Sequence, residues 1–195
     1  MNIFFIDKDP KVCAEMHCDK HVVKMVIEYA QLLSTAHRMI DGMLYEDRTA
    51  RGARIKRWRH PDLIFENTLY KASHVGHPSQ KWCMENTSNY TWLAELWINL
   101  CQEYTHRYGR KHMTQEKLDG FLQQLPKNLT EGQWRAPPPA MSQFPQCIVE
   151  GNSLKSYHNF YIADKARFAK WTDRDIPTWY TDLLNKSMKG NYANI

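Results

Sequence analysis

The sequence predicts a mainly α fold, and three observations predict it. Apolar residues recur at helical spacing along most of the chain, alternating strand patterns are almost absent, and caps and breakers sit where such helices would begin and end. With 195 residues and 43% hydrophobic content the chain can bury a core of its own. We expect one helical domain over 1–195: a core over 1–125 around a long central helix, a Pro-rich connector over 126–151, and a C-terminal helix and tail over 152–195 that pack on the core.

Asn2 to Ile6 is a short apolar segment, either a strand or an extended arm. Asp9-Pro10 is a good helix entry, because Asp caps and Pro is tolerated at the first helical position. This first helix should run from Lys11 to about Arg38 and stop near Gly42. Met43 to His60 reads as a basic loop. A second helix spans Asp62 to about Ser73, and a turn follows at His74 to Ser79. The third and longest helix spans Ser79 to Tyr108. Its Trp82, Tyr90, Trp92, Leu93, Leu96, Trp97, Leu100 and Tyr104 fill more than one face, and Gly109 ends it. A short helix covers Thr114 to Leu125, with Thr114 as cap. Pro126 to Pro145 holds five prolines and is extended. A last amphipathic helix covers Asn152 to Trp171, and the tail with Pro177, Trp179 and Tyr180 packs back.

Composition excludes several classes. No stretch approaches the roughly 18 apolar residues that span a bilayer. The start, MNIFFIDKDP, lacks the long apolar run of a signal peptide. We expect a soluble protein of the cytoplasm. Cys13, Cys18, Cys83, Cys101 and Cys147 are odd in number and form no CxxC, which suits free thiols and not a disulfide framework or a zinc ribbon.

The first helix carries a polar stripe. On a wheel of about 100° per residue, Cys13, His17, His21, Lys24, Glu28, Gln31 and Thr35 share an arc of roughly 80°. Val22, Met25, Val26, Tyr29, Ala30 and Leu33 lie opposite, with His37 as a buried or partner-bonded histidine. A solvated face would favour Lys, Glu, Arg and Gln, so paired imidazoles point to chemistry. Two chemistries fit. In one, His17 and His21 bind a metal, with Glu28 as ligand or base and His74 or His77 as a third ligand, as in a phosphohydrolase. In the other, Glu28 is a general acid/base, His21 positions phosphate or substrate, an amine is the nucleophile, and no cofactor is needed.

The net charge of +5 is concentrated in RTARGARIKRWRH, which holds Arg48, Arg51, Arg54, Lys56, Arg57 and Arg59 with Trp58 among them. Such a run can neutralise several phosphates, and Trp58 can stack on a base; the plainer reading is a solvated loop. His74 and His77-Pro78 open the long helix, whose N-terminus suits phosphate, and Asn86, Asn89 and Tyr90 would line the same cavity. The aromatic residues of that helix read as core. On the last helix Lys155, His158, Lys165, Arg167 and Lys170 lie beside Tyr157, Phe160, Tyr161 and Phe168.

In their order, MNIFFI, a helix with His21 seven positions before Glu28, the basic run into RHPDL, and HPSQKW with NYTWLAEL and EYTHRYG resemble the pyrimidine-dimer DNA glycosylase family, the endonuclease V type of phages and its bacterial relatives. The resemblance covers about Met1 to Gly109. It implies an N-terminal α-amine that attacks C1′ of a flipped nucleotide, releases the base, forms a Schiff base and nicks the strand by β-elimination. Glu28 would match the catalytic glutamate, His21 its supporting histidine at the DNA backbone, and Arg57 and Arg59 phosphate contacts. An α-amine titrates near 7.7–8.0, so a fraction is neutral at physiological pH. Residue 2 is Asn, which disfavours removal of Met1, so the amine is that of Met1, of Asn2, or of Lys24 in a desolvated site. The expectation is a monomeric DNA glycosylase/lyase acting on double-stranded DNA at a damaged or modified pyrimidine. The alternatives are a base- or nucleotide-modifying enzyme on this scaffold, the metal-dependent phosphohydrolase, or a DNA-binding protein without catalysis.

Overall fold

The computed structural model describes residues 1–192. Among these the chain is mainly helical, with one two-stranded sheet. The fold class is as expected, and several boundaries are not.

Ile3 to Ile6 form a buried extended arm and not a strand. The Phe4 N–H donates to Tyr29 Oη at 3.1 Å. Asp9 caps α1 (Pro10–Met16), as its side chain accepts from the N–H groups of Lys11 and Val12. The single helix expected from Lys11 to Arg38 is broken. His17 and Cys18 are extended, with ψ of 133° and 159°, and α2 runs Asp19–Asp41. Side chains fix this break. The His17 ring turns inward onto Cys13 O at 2.7 Å. The Asp19 carboxylate accepts from Arg107 at 2.9 Å and from Thr172 N and Oγ at 2.9 and 2.8 Å. Arg107, fully buried, also binds Glu103 at 2.6 Å.

The basic segment is a hairpin and not a loop. β1 (Met43–Arg48) and β2 (Arg54–Arg59) pair antiparallel, from Met43 opposite Arg59 to Arg48 opposite Arg54. Thr49 N–H bonds Ala53 O at 2.9 Å across the turn, and Gly52 takes φ 81° there, a conformation that favours glycine. At the hairpin base a Cβ on Gly42 would lie 2.3 Å from Arg38 O and 2.8 Å from Arg59 O, so only glycine fits between the strands' root and α2.

α3 (Leu63–Thr68), capped by Asp62, is shorter than expected. The long third helix is two: α4 (Pro78–Cys83) and α5 (Thr87–Tyr108). Asn86 separates them, because its side chain caps α5 by accepting from Asn89 N–H. Gly109 ends α5 at φ 66°, as expected. α5 packs on α1 and α2, and Trp97 Nε1 donates to Val26 O at 3.0 Å. α6 (Met113–Leu118) is capped by His112 and not by Thr114.

The connector is extended and fastened to the α4–α5 junction. Asn86 Nδ2 donates to Gln133 O at 3.2 Å, Ser88 Oγ to Gly132 O at 2.6 Å, and Trp82 Nε1 to Arg135 O at 2.9 Å. α7 (Ser153–Phe160), capped by Asn152, passes into one π turn at Tyr161–Lys165 instead of continuing to Trp171. α8 (Thr178–Tyr192) closes the described chain. The tail packs back: Trp179 stacks on His158 at 3.9 Å and Tyr180 meets Trp171 at 4.8 Å. All five cysteines are free and buried, and no described helix is long and apolar enough to cross a membrane.

Candidate functional site

The polar stripe divides into a buried part and a surface part. His17 has no exposure, and both ring nitrogens are used: Nδ1 with Cys13 O at 2.7 Å and Nε2 with Tyr29 Oη at 2.9 Å. A ring so engaged has no lone pair for a metal. The proposed metal centre of His17, His21 and Glu28 is therefore overturned. The wheel misled because the helix is interrupted between His17 and His21.

His21 is 4% exposed. Its Nδ1 pairs with Tyr161 Oη at 2.6 Å, and its ring lies 4.0 Å from that of Phe4. Burial, and then electrostatic coupling to His17, Lys165 and Lys24, hold its pKa well below the ordinary value. It is a neutral, packed ring and not a cationic phosphate contact. The π turn after α7 brings Tyr161 to it, a partner 140 residues away that no local pattern shows.

Burial likewise lowers His17 and His37 from 6.5 to about 4. Below pH 6.5 the unfolded chain takes up protons that these folded rings refuse, so stability falls with pH. We expect a loss of about 1.4 kcal/mol per pH unit for each ring between pH 6.5 and 4. Urea unfolding at several pH values measures it; a flat profile over that window would show that the rings are not buried neutral.

The surface part is different. Glu28 is half-buried, its side chain 16% exposed, and pairs with Lys24 Nζ at 3.0 Å. Lys24 is 69% exposed, so the desolvation that a Schiff-base lysine requires is missing. That role for Lys24 is corrected to partner of Glu28. α4 lies along α2 here, tied by Gln80 Nε2 to Leu32 O at 3.1 Å. His77, one turn before Gln80, lies within reach of the Glu28 charge. The His77 pKa is lowered by burial first, then by the Met1 ammonium and by His74, while Glu28 opposes them. Met1, His74 and Glu28 thus each act electrostatically on His77. His77 Nδ1 accepts from Ser79 N–H at 3.2 Å, so the neutral ring presents Nε2–H as a donor. His74 is exposed, with φ 52°. Met1 and Asn2, both half-buried, lead into the buried arm. An open cleft of about 670 Å³ begins beside His77, lined by Pro78, Lys81, Trp82, Glu85, Arg135 and Pro138.

Asn86 and Asn89 do not line a cavity with Glu28. Both are buried and hold the connector: Asn86 through Gln133 O, Asn89 through Arg135 N–H at 3.0 Å. The capping pattern Asn86-Thr-Ser-Asn89 was the signal for this. Tyr90 is also buried, donating to Leu122 O at 3.0 Å.

On the hairpin Arg48, Arg51, Arg54, Lys56 and Arg59 are exposed, and Arg57 and Trp58 are half-buried. Register places Glu46 opposite Lys56, an acid that the basic run alone does not contain. Arg59 lies over the Tyr45 ring at 5.1 Å. Arg38, unremarked in the sequence, fixes the hairpin. It is 3% exposed, donates to the carbonyls of Trp58, Tyr70, Glu66 and Leu69, and pairs with the Glu66 carboxylate, which also accepts from His60 N–H. Comparison of the chain with protein-family models, with curated proteins and with solved structures gives no match.

Proposed function

We propose that this protein is a DNA glycosylase with lyase activity, acting on a damaged or modified pyrimidine in double-stranded DNA. The observation that carries the reading is a half-buried Glu28 carboxylate together with a neutral imidazole donor, His77, which feels the charges of both Glu28 and the chain's α-amine. The Met1 amine forms a C–N bond at C1′ while the glycosidic bond breaks and its electron pair leaves with the base. Glu28 takes the amine proton and delivers it as the base departs. The O4′–C1′ bond of this glycosylamine then opens, the remaining amine proton passing to O4′ as the imine forms; the imine acidifies C2′–H, and loss of that proton expels the 3′-phosphate. His77 Nε2–H donates to a phosphate or sugar oxygen. The base reaches the site by flipping from the stack.

The hairpin supplies the phosphate contacts. Its root at Gly42 is 14 residues from Glu28 along α2, or about 21 Å at 1.5 Å per residue. That spans about six nucleotide steps at 3.4 Å each, so hairpin and carboxylate would act on one duplex at separated points.

Borohydride reduction tests the imine. With abasic or dimer-containing duplex it should trap a covalent protein–DNA adduct whose attachment site maps to Met1. No adduct on either substrate, under conditions where the duplex is bound, would refute the route.

A further inference from the structure

A second cluster lies at the root of the hairpin, away from Glu28. His37 and Asp41 occupy the last turns of α2, one turn apart, and His60 follows the last residue of β2. One ligand atom from each lies within 4.8 Å of the others. All three side chains are almost fully buried, at 2% exposure for His37 and 4% for the side chains of Asp41 and His60. His60 Nε2 is buried without a hydrogen-bond partner, 3.8 Å from Asp41 Oδ2. That gap is too long for a hydrogen bond. Two ligands on one tetrahedral zinc ion, at bond lengths of about 2.1 Å, stand about 3.4 Å apart. A contraction of about 0.4 Å would bring that pair to such a spacing, and pairs as far apart as 4.8 Å would close by about 1.4 Å.

The surroundings have the form of a metal site's outer shell. His60 Nδ1 accepts from the Asp62 N–H at 3.1 Å and lies 3.4 Å from Asp62 O, so binding an ion through Nε2 shifts the ring proton to Nδ1, where Asp62 O can receive it. His37 Nε2 bonds Gln124 O at 3.1 Å, which leaves Nδ1 as the lone-pair nitrogen of the neutral ring. Asp41 is oriented by the Lys127 and Asn128 N–H groups at 2.8 and 2.9 Å and by Asn128 Nδ2 at 3.1 Å. Two imidazoles and one carboxylate suit zinc, whereas calcium and magnesium prefer oxygen ligands.

We propose that His37, Asp41 and His60 bind one divalent cation of the zinc type, with a fourth position for water. The ion would join three segments: the end of α2, the exit of the hairpin, and the loop over 124–128. The proposal is independent of the glycosylase reading, and its failure would leave that reading untouched.

Titration of chelator-treated full-length protein with Co²⁺ tests it. One equivalent should bind and give the visible absorption of a four-coordinate ion, and Zn²⁺ should displace it. At a hundredfold excess of free Zn²⁺ over its Kd the melting midpoint should rise by about 5–10 °C. His60→Gln and His37→Gln should each weaken Co²⁺ binding by about a hundredfold, while His106→Gln on the surface should not. Failure of the wild-type protein to take up an equivalent overturns the site without recourse to any variant. So does undiminished binding in both folded ligand variants, which would place the ion elsewhere.

Discussion

Glu28→Gln is expected to lower turnover by about 10²–10⁴-fold while DNA affinity and the melting midpoint stay nearly unchanged. The side chain keeps its shape and its place on α2 beside Lys24, but it can no longer accept or return a proton. Folding should be indifferent, because the Lys24–Glu28 pair has one partner 69% exposed and is worth only a few tenths of a kcal/mol. Lys24→Met separates the two roles on this stripe. If Lys24 only attends Glu28, the variant keeps adduct formation; if Lys24 were the nucleophile, trapping would vanish. Single-turnover kinetics, binding isotherms and thermal melts on the same preparations decide the matter. Full turnover by Glu28→Gln would remove the carboxylate from the mechanism.

The second large effect concerns Arg38. Its guanidinium, 4% exposed, satisfies four backbone carbonyls and the Glu66 carboxylate together. Arg38→Ala leaves those acceptors facing a hole and Glu66 without its charge partner. Breaking a buried pair in this way costs about 3–5 kcal/mol, or about 10 °C of melting midpoint in a chain of this size. The loss should be spatially uneven. Trp58 O and, through Glu66, His60 N–H anchor the hairpin, so amide exchange should quicken in β1 and β2 before it does in α5. A melting midpoint within 1–2 °C of wild type would show that water replaces the guanidinium at little cost.

These two residues also show how far the sequence could be read. Glu28 stood out because helical spacing put a carboxylate near histidines. Arg38 did not, since a lone Arg near a helix end is usually solvated, and its acceptors come from residues 58 to 70. Elements with local signals were legible: the Asp9-Pro10 entry, the start of the last helix near Asn152, the Gly109 stop and the apolar arm. The break at His17–Cys18 was not, because it depends on Arg107 and Thr172 binding Asp19 from 88 and 153 residues away. The α4–α5 break was legible in principle, since Asn86 is a strong cap set within a helical pattern. So was the hairpin: MLYEDR and RIKRWR flank a Gly-containing turn, and their charges drew the eye from their pairing. For the same reason the stripe was half misread. Its histidines serve packing through Tyr29, Tyr161 and Phe4, and the imidazole that feels the Glu28 charge is His77, the cap of α4.

The hairpin has one more consequence, for how copies of the chain behave toward each other. A two-stranded ribbon has an outer edge on each strand, and such edges are templates for pairing with another chain. Here β2 carries Arg54, Lys56, Arg57 and Arg59, and two β2 edges brought together would set like charges side by side. Self-association is thereby opposed by repulsion, which salt screens over about 10 Å at 0.1 M and about 3 Å at 1 M. Concentrated salt, which loosens the grip of such a ribbon on a polyanion, also removes what keeps the ribbons apart. The colloidal stability of the protein is therefore tied to the same charges as its affinity for phosphate.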